Sequence, residues 1–195
     1  MKSLALIALM IAPMSSHSVH AQTPAAATAS LGGAAVPGIC LLSRPAVFAT
    51  AKVGLAATAR LQQLTQQAQA EVEAERKPIE ADAKAFQAEQ AKLPPEVRKS
   101  RAQALEQRLR AVQQKAALRS REIEATREKA LARIVTAMQP VVQQAYAARA
   151  CGLLLDRASV LGGNLANDLT PAVVQSLDAR MSTISFDREV LAIAQ

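Results

Sequence analysis

The chain has 195 residues and a formal net charge of +7, from 23 Lys and Arg against 16 Asp and Glu. Aromatic residues make up 2% of it and tryptophan is absent, so the side chains that carry much of the core burial in compact domains are nearly missing. Ala, Gln, Glu, Lys and Arg dominate the middle instead, a composition of long helices packed in pairs rather than of a globule.

The N-terminus reads as an export signal. Lys2 supplies a positive charge, Leu4 to Ala12 form an apolar run, and Val19-His20-Ala21 places small residues at a cleavage site. This charge–apolar–small order is that of a secretory signal peptide, residues 1–21, and is too short to span a bilayer. No later stretch reaches the roughly 18 apolar residues of a membrane helix, so a soluble mature protein beginning near Gln22 is expected. Its formal charge is then +6, because Lys2 is lost. Both histidines, His17 and His20, leave as well. A Ser-His-Asp or Cys-His site and a His-ligated zinc are therefore excluded. Two separate cysteines cannot build a four-cysteine metal site, and no acid pair stands out from the charge pattern. No catalytic residue, metal site or cofactor is expected, and the chain does not read as an enzyme.

Residues 22–38 are small and uncharged with Pro and Gly, a flexible linker. Ile39-Cys40-Leu41-Leu42 is a short apolar run predicted as a buried strand. Ser43 can cap a helix that has Pro45 in its first turn. From there to Leu93 only Gly54 and Pro78 interrupt helix-forming residues, and Pro78 should kink the arm. Val72, Ile79, Phe86 and Leu93 fall at intervals of seven, with Leu61, Leu64 and Ala68 upstream, which is a heptad stripe. The companion core position lapses into Glu75, Asp82 and Glu89, so the seam should thin outward.

Pro94-Pro95 forces a turn. A second helix runs from about Glu96 to Arg149, striped by Leu105, Leu109, Val112, Ala116, Ile123, Ala130, Ile134, Met138 and Val141, with Pro140 near its end. Two striped helices joined by a tight turn fold back antiparallel, and arms of this length reach about 70–80 Å. Beyond them Cys151 to Asp156 is a second strand segment. Gly162-Gly163-Asn164 turns the chain, and Thr170-Pro171 opens a short helix with Val173, Val174 and Leu177 on one face. The tail from Met181 carries little signal.

Charge is uneven along the hairpin. Lys92, Arg98, Lys99, Arg101, Arg108, Arg110, Lys115, Arg119 and Arg121 face only Glu96 and Glu106 within the same 30 residues, while an acidic stretch from Glu71 to Asp82 lies nearer the body. A net of seven positive charges near the distal end would attract anionic surfaces, and these nine residues are the candidate site for acidic clients or a membrane. A solvated face of mixed sign is the plainer reading.

The order of these elements, with Gly152 to Leu161 and Asp168-Leu169-Thr170-Pro171 through Leu177, resembles the Skp/OmpH family of periplasmic chaperones. Those segments are similar to the family's closing "LVLD…AV" strand pair and its "DIT…VLKAL" helix. Leu42-Ser43-Arg44 stands where the family's first strand ends in a Val-Asp or similar pair. The resemblance implies a mainly α fold with a small β body: a long antiparallel helical hairpin, a coiled-coil tentacle, projecting from a short-stranded trimerisation body. The resemblance covers roughly residues 39–180, and the elements read along the chain divide it into linker 22–38, body 39–44 and 150–180, hairpin 45–149 with its tip near 93–96, and tail 181–195. The resemblance further implies a homotrimer in the periplasm that holds unfolded outer-membrane proteins without ATP and keeps them from aggregating.

Two questions stay open at this level. Cys40 and Cys151 flank the hairpin beside the predicted body strands, and an oxidising compartment permits a disulfide; two inert buried thiols are the alternative. A periplasmic scaffold or tether for a fixed partner is the second functional reading. Specific nucleic-acid binding is not expected, because the basic residues lack interleaved aromatic side chains for base stacking.

Overall fold

A computed structural model describes residues 31–192; the signal segment, the first part of the linker and residues 193–195 lie outside it. Strand β1 (Ile39–Leu42) is followed by helices α1 (Arg44–Thr50) and α2 (Lys52–Glu89), a 3-10 turn (Gln90–Lys92) and helix α3 (Pro95–Ala148). Strand β2 (Leu153–Asp156), a second 3-10 turn (Arg157–Ser159) and helix α4 (Thr170–Arg180) complete the order. The 38 residues of α2 and 54 of α3 correspond to about 57 and 81 Å of helix. Both continue across their internal prolines, Pro78 and Pro140. No helix of the described residues is long and apolar enough to cross a membrane.

The first arm departs from the continuous helix that the sequence suggests. Ser43 caps α1 by accepting the Ala46 N–H at 3.3 Å, but the helix stops at Ala51, whose backbone is extended. Gly54 explains how α2 restarts so close by. A Cβ there would sit 1.9 Å from the Phe48 carbonyl oxygen, so only glycine lets the two helices overlap this tightly. The exposed start of α2 is satisfied from α4, where Asp178 Oδ1 accepts the Lys52 N–H at 2.7 Å, a charge favourable at a helix N-terminus. The break turns Val47, Ala51 and Val53 all inward, each at 0% exposure.

Those residues join Cys40 and Leu42 of β1 and Ile134, Met138 and Val141 of α3 in one core. Val173 and Leu177 of α4, with Leu169 just before that helix, form its far wall. Val173 and Leu177 are both fully buried. The largest core cluster therefore sits at the base of the hairpin.

β1 and β2 pair in parallel, Ile39 opposite Leu153 through Leu42 opposite Asp156. The hairpin leaves and returns between them as one long crossover, the arrangement parallel strands require. On its other side β1 is held by the segment before α4: the Leu41 N–H donates to the Asn167 carbonyl at 3.0 Å, and the Leu169 N–H to the Leu41 carbonyl at 2.8 Å. β2 has no second neighbour among the described residues, and Leu153 on it is 50% exposed. The structure joins Cys40 to Cys151, with Cα atoms 5.8 Å apart, beside the point where α3 ends and Ala150 takes a positive φ of 49°.

Candidate functional site

The hairpin shaft is held more by charge than by apolar packing toward its tip. Arg101 pairs with Glu89 at 3.4 Å, Arg108 with Asp82 at 2.6 Å, Lys115 with Glu75, and Arg119 with Glu71 at 2.8 Å. Steps of seven, seven and four residues separate the acids along α2, and the same steps separate the bases along α3. Glu75, Asp82 and Glu89, which read in sequence as lapses of the heptad stripe, are therefore rungs that fix the register of the two arms. Apolar burial alternates with them at Leu64, Ala68, Ile79 and Val112, whereas Leu109 of the expected stripe is exposed.

This changes the charge picture. The acidic stretch from Glu71 to Asp82 does not lie apart from the basic one; antiparallel folding sets the two face to face. Arg101, Arg108, Lys115 and Arg119 pair across the hairpin, and Arg110 pairs with Glu106 on its own helix at 2.8 Å. Lys92, Arg98, Lys99 and Arg121 are exposed and form no ion pair among the described residues. Of the nine candidate residues, these four remain as free positive charge.

The tail, which carries little signal in sequence, runs back along the shaft. Arg188 reaches both arms: its guanidinium nitrogens lie 3.0 and 3.2 Å from the Glu71 carboxylate, and its Nε lies 3.2 Å from Glu122 Oε2. That Nε is close enough for ion pairing but out of line for a hydrogen bond. Glu122 is 1% exposed, and a carboxylate so buried must be compensated. Arg119 at 2.7 Å and the Leu191 N–H at 3.3 Å complete its partners. The Arg188 hydrogen bond, with the charges of Arg188 and Arg119, outweighs desolvation and holds the Glu71 carboxyl below its ordinary range.

Grooves open elsewhere on the molecule, two of them mainly apolar. One of about 500 Å³ lies between the arms, lined by Ala68, Val72, Ala116 and Ile123. Another, of about 730 Å³, is of mixed character, with Leu61 and Leu131 among Thr58, Gln62, Thr65, Gln66 and Arg127, and Leu131 is 39% exposed. At the body, Leu42, Val135, Met138, Val142, Leu154 and Leu155 line a groove of about 600 Å³.

A sequence profile of the family described as "Outer membrane protein (OmpH-like)" matches residues 38–177. The chain belongs to that family. A crystal structure from Caulobacter crescentus CB15 at 2.83 Å, described as an OmpH-like outer membrane chaperone, matches with a TM-score of 0.75 and 41% identity, over 82% of this chain and 94% of that one. No curated protein matches the chain. Membership in the OmpH-like family carries a chaperone role and a non-enzymatic one. The helical hairpin and small sheet are the OmpH-like fold, and the span that the sequence profile matches ends at residue 177.

Proposed function

We propose that the mature chain is a periplasmic holdase that binds unfolded outer-membrane proteins without ATP and assembles as a homotrimer through its body. The observation that carries this reading is the imbalance between body and arms. A small core at one end supports a hairpin whose shaft opens an apolar groove and a second groove of mixed polarity. Such surfaces suit apolar segments of a client that has no fixed shape. The partly exposed β2 and the apolar groove beside it favour burial against further copies, because monomers seldom leave apolar patches of this kind open. Lys92, Arg98 and Lys99 near the turn would draw acidic clients or an anionic membrane surface.

The test is light scattering of an unfolded outer-membrane barrel diluted into buffer with and without the mature protein, nucleotide absent. Suppressed aggregation of several unrelated barrels is the expected result. Unchanged scattering for all of them would sink the proposal, and suppression confined to one partner would favour a tether. Static light scattering of the mature protein alone should return a trimer mass; a monomer at micromolar concentration would remove the assembly from the proposal.

A further inference from the structure

The tail is held through its main chain as well as its side chains. Residues 181–192 form neither helix nor strand, and side chains from both arms reach their backbone. Arg60 Nε donates to the Phe186 carbonyl at 3.0 Å, and Arg133 donates to the Ser185 carbonyl at 2.9 Å. Thr126 Oγ1 accepts the Glu189 N–H at 2.9 Å, and Glu122 Oε1 accepts the Leu191 N–H at 3.3 Å. Contacts of this kind read a polypeptide backbone and not a particular sequence. Side chains of the tail are held as well: Ile184 and Phe186 pack against the core cluster, Arg188 sits between Glu71 and the buried Glu122, and Asp187 and Glu189 pair with Arg60 and Lys129. Phe186 and Arg188 are the anchors with the strongest preference, because the Asp187 side chain is 96% exposed and surface ion pairs contribute little.

We propose that this face of the hairpin is a groove for extended polypeptide, filled in cis by residues 184–191, and that client segments with an aromatic residue two positions before a basic one replace the tail there. The proposal rests on the chaperone reading and names the client chemistry of one face. A short tether gives the tail an effective concentration in the millimolar range. It therefore excludes weak single segments and yields to clients that are held at the same time by the other grooves. Glu122 favours a basic side chain at the second position, because a buried carboxylate left with fewer partners is unfavourable.

The experiment uses the full mature chain with Phe186→Ala and Arg188→Ala together, and with Arg188→Ala alone, which keeps Phe186 in the core in case the double variant loses its fold. The probe is a fluorescently labelled peptide of residues 182–192, followed by anisotropy. The variants should bind it at least about tenfold more tightly than the unsubstituted chain, and a peptide carrying Arg188→Ala should lose about tenfold, as expected when a charged hydrogen-bonding partner is removed. Excess peptide should also slow capture of an unfolded barrel by the variants. Absence of peptide binding, or binding that leaves capture untouched, overturns the proposal. Failure of the unsubstituted chain to suppress aggregation would overturn the chaperone reading instead, and peptide binding would still be measured independently of it.

Discussion

Arg108 and Asp82 meet across the hairpin at 2.6 Å, one rung of a ladder whose spacing is equal on both arms. Both side chains are about half exposed, so the pair alone contributes about 0–1 kcal/mol. Its larger effect is on register, since sliding one arm by a few residues would set like charges opposite one another. Asp82→Arg should lower the melting temperature more than Asp82→Asn, and adding Arg108→Asp to the reversed variant should recover most of the loss. A double variant no more stable than the single reversal would show that the rung has no part in register.

The clamp on the tail should depend on pH. Glu71 has a folded-state pKa below its ordinary 4.5, so its contribution is present above that value and is lost as pH falls through the lower folded value. Asp168 behaves alike: burial alone would raise it, but hydrogen bonds from the Thr170 side chain and backbone and from Arg157 outweigh this and hold it below 3.8. Acid should therefore release the tail first along Glu71, and proteolysis of the tail should rise below about pH 4.5. Glu71→Gln should flatten that rise while leaving the Asp168 region intact. An unchanged pH profile in Glu71→Gln would place the sensitivity elsewhere.

Much of the fold follows from local rules visible in the residues. Ser43 and Pro45 start a helix, Pro94-Pro95 turns the chain, and the heptads of Ile79 and Val112 face one another. The break at Ala51 is hidden because alanine favours helix, and only the approach of Phe48 to Gly54 reveals it. The charge ladder is hidden too, because the charge balance of one arm is meaningless until antiparallel register supplies the other. The tail illustrates the same limit. Phe186 and Arg188 form no periodic pattern, and their partners lie more than a hundred residues away at Arg60 and Glu71.

Gly54→Ala tests the helix break directly. Its Cβ would meet backbone rather than a movable side-chain end, so the cost should lie at or above the upper part of the overpacking range, about 2–4 kcal/mol. Thermal unfolding by circular dichroism measures it. A loss below about 0.5 kcal/mol, the range of an ordinary surface change, would mean that α1 and α2 separate freely at this point.

The bond between Cys40 and Cys151 closes a sequence separation of 111 residues. In the chain-entropy view such a loop contributes about 4–5 kcal/mol through the unfolded state. Replacing both cysteines with serine should lower the denaturation midpoint accordingly and leave helicity at low denaturant unchanged. A reducing agent should do the same to the unsubstituted chain and nothing further to the variant. Equal midpoints with and without reductant would show that the two sulfurs contribute no cross-link.

The last prediction separates steering from structure among the basic residues. Lys92, Arg98, Lys99 and Arg121 make no ion pair among the described residues, whereas Arg101, Arg108 and Lys115 each bind an acid on the other arm. Converting the first four to glutamine removes field without removing a rung, so the melting temperature should stay nearly constant. Association with an acidic client or with anionic vesicles should slow, and its salt dependence should flatten, because free charges act over a Debye length of about 10 Å at 0.1 M. Converting Arg101, Arg108 and Lys115 should do the reverse: lower the melting temperature modestly and change the salt slope less, since those charges are already offset by their partners. Stopped-flow capture at several salt concentrations distinguishes the two sets. If both sets change the capture rate equally and neither alters stability, the ladder does not divide the positive charge of the hairpin into structural and steering parts.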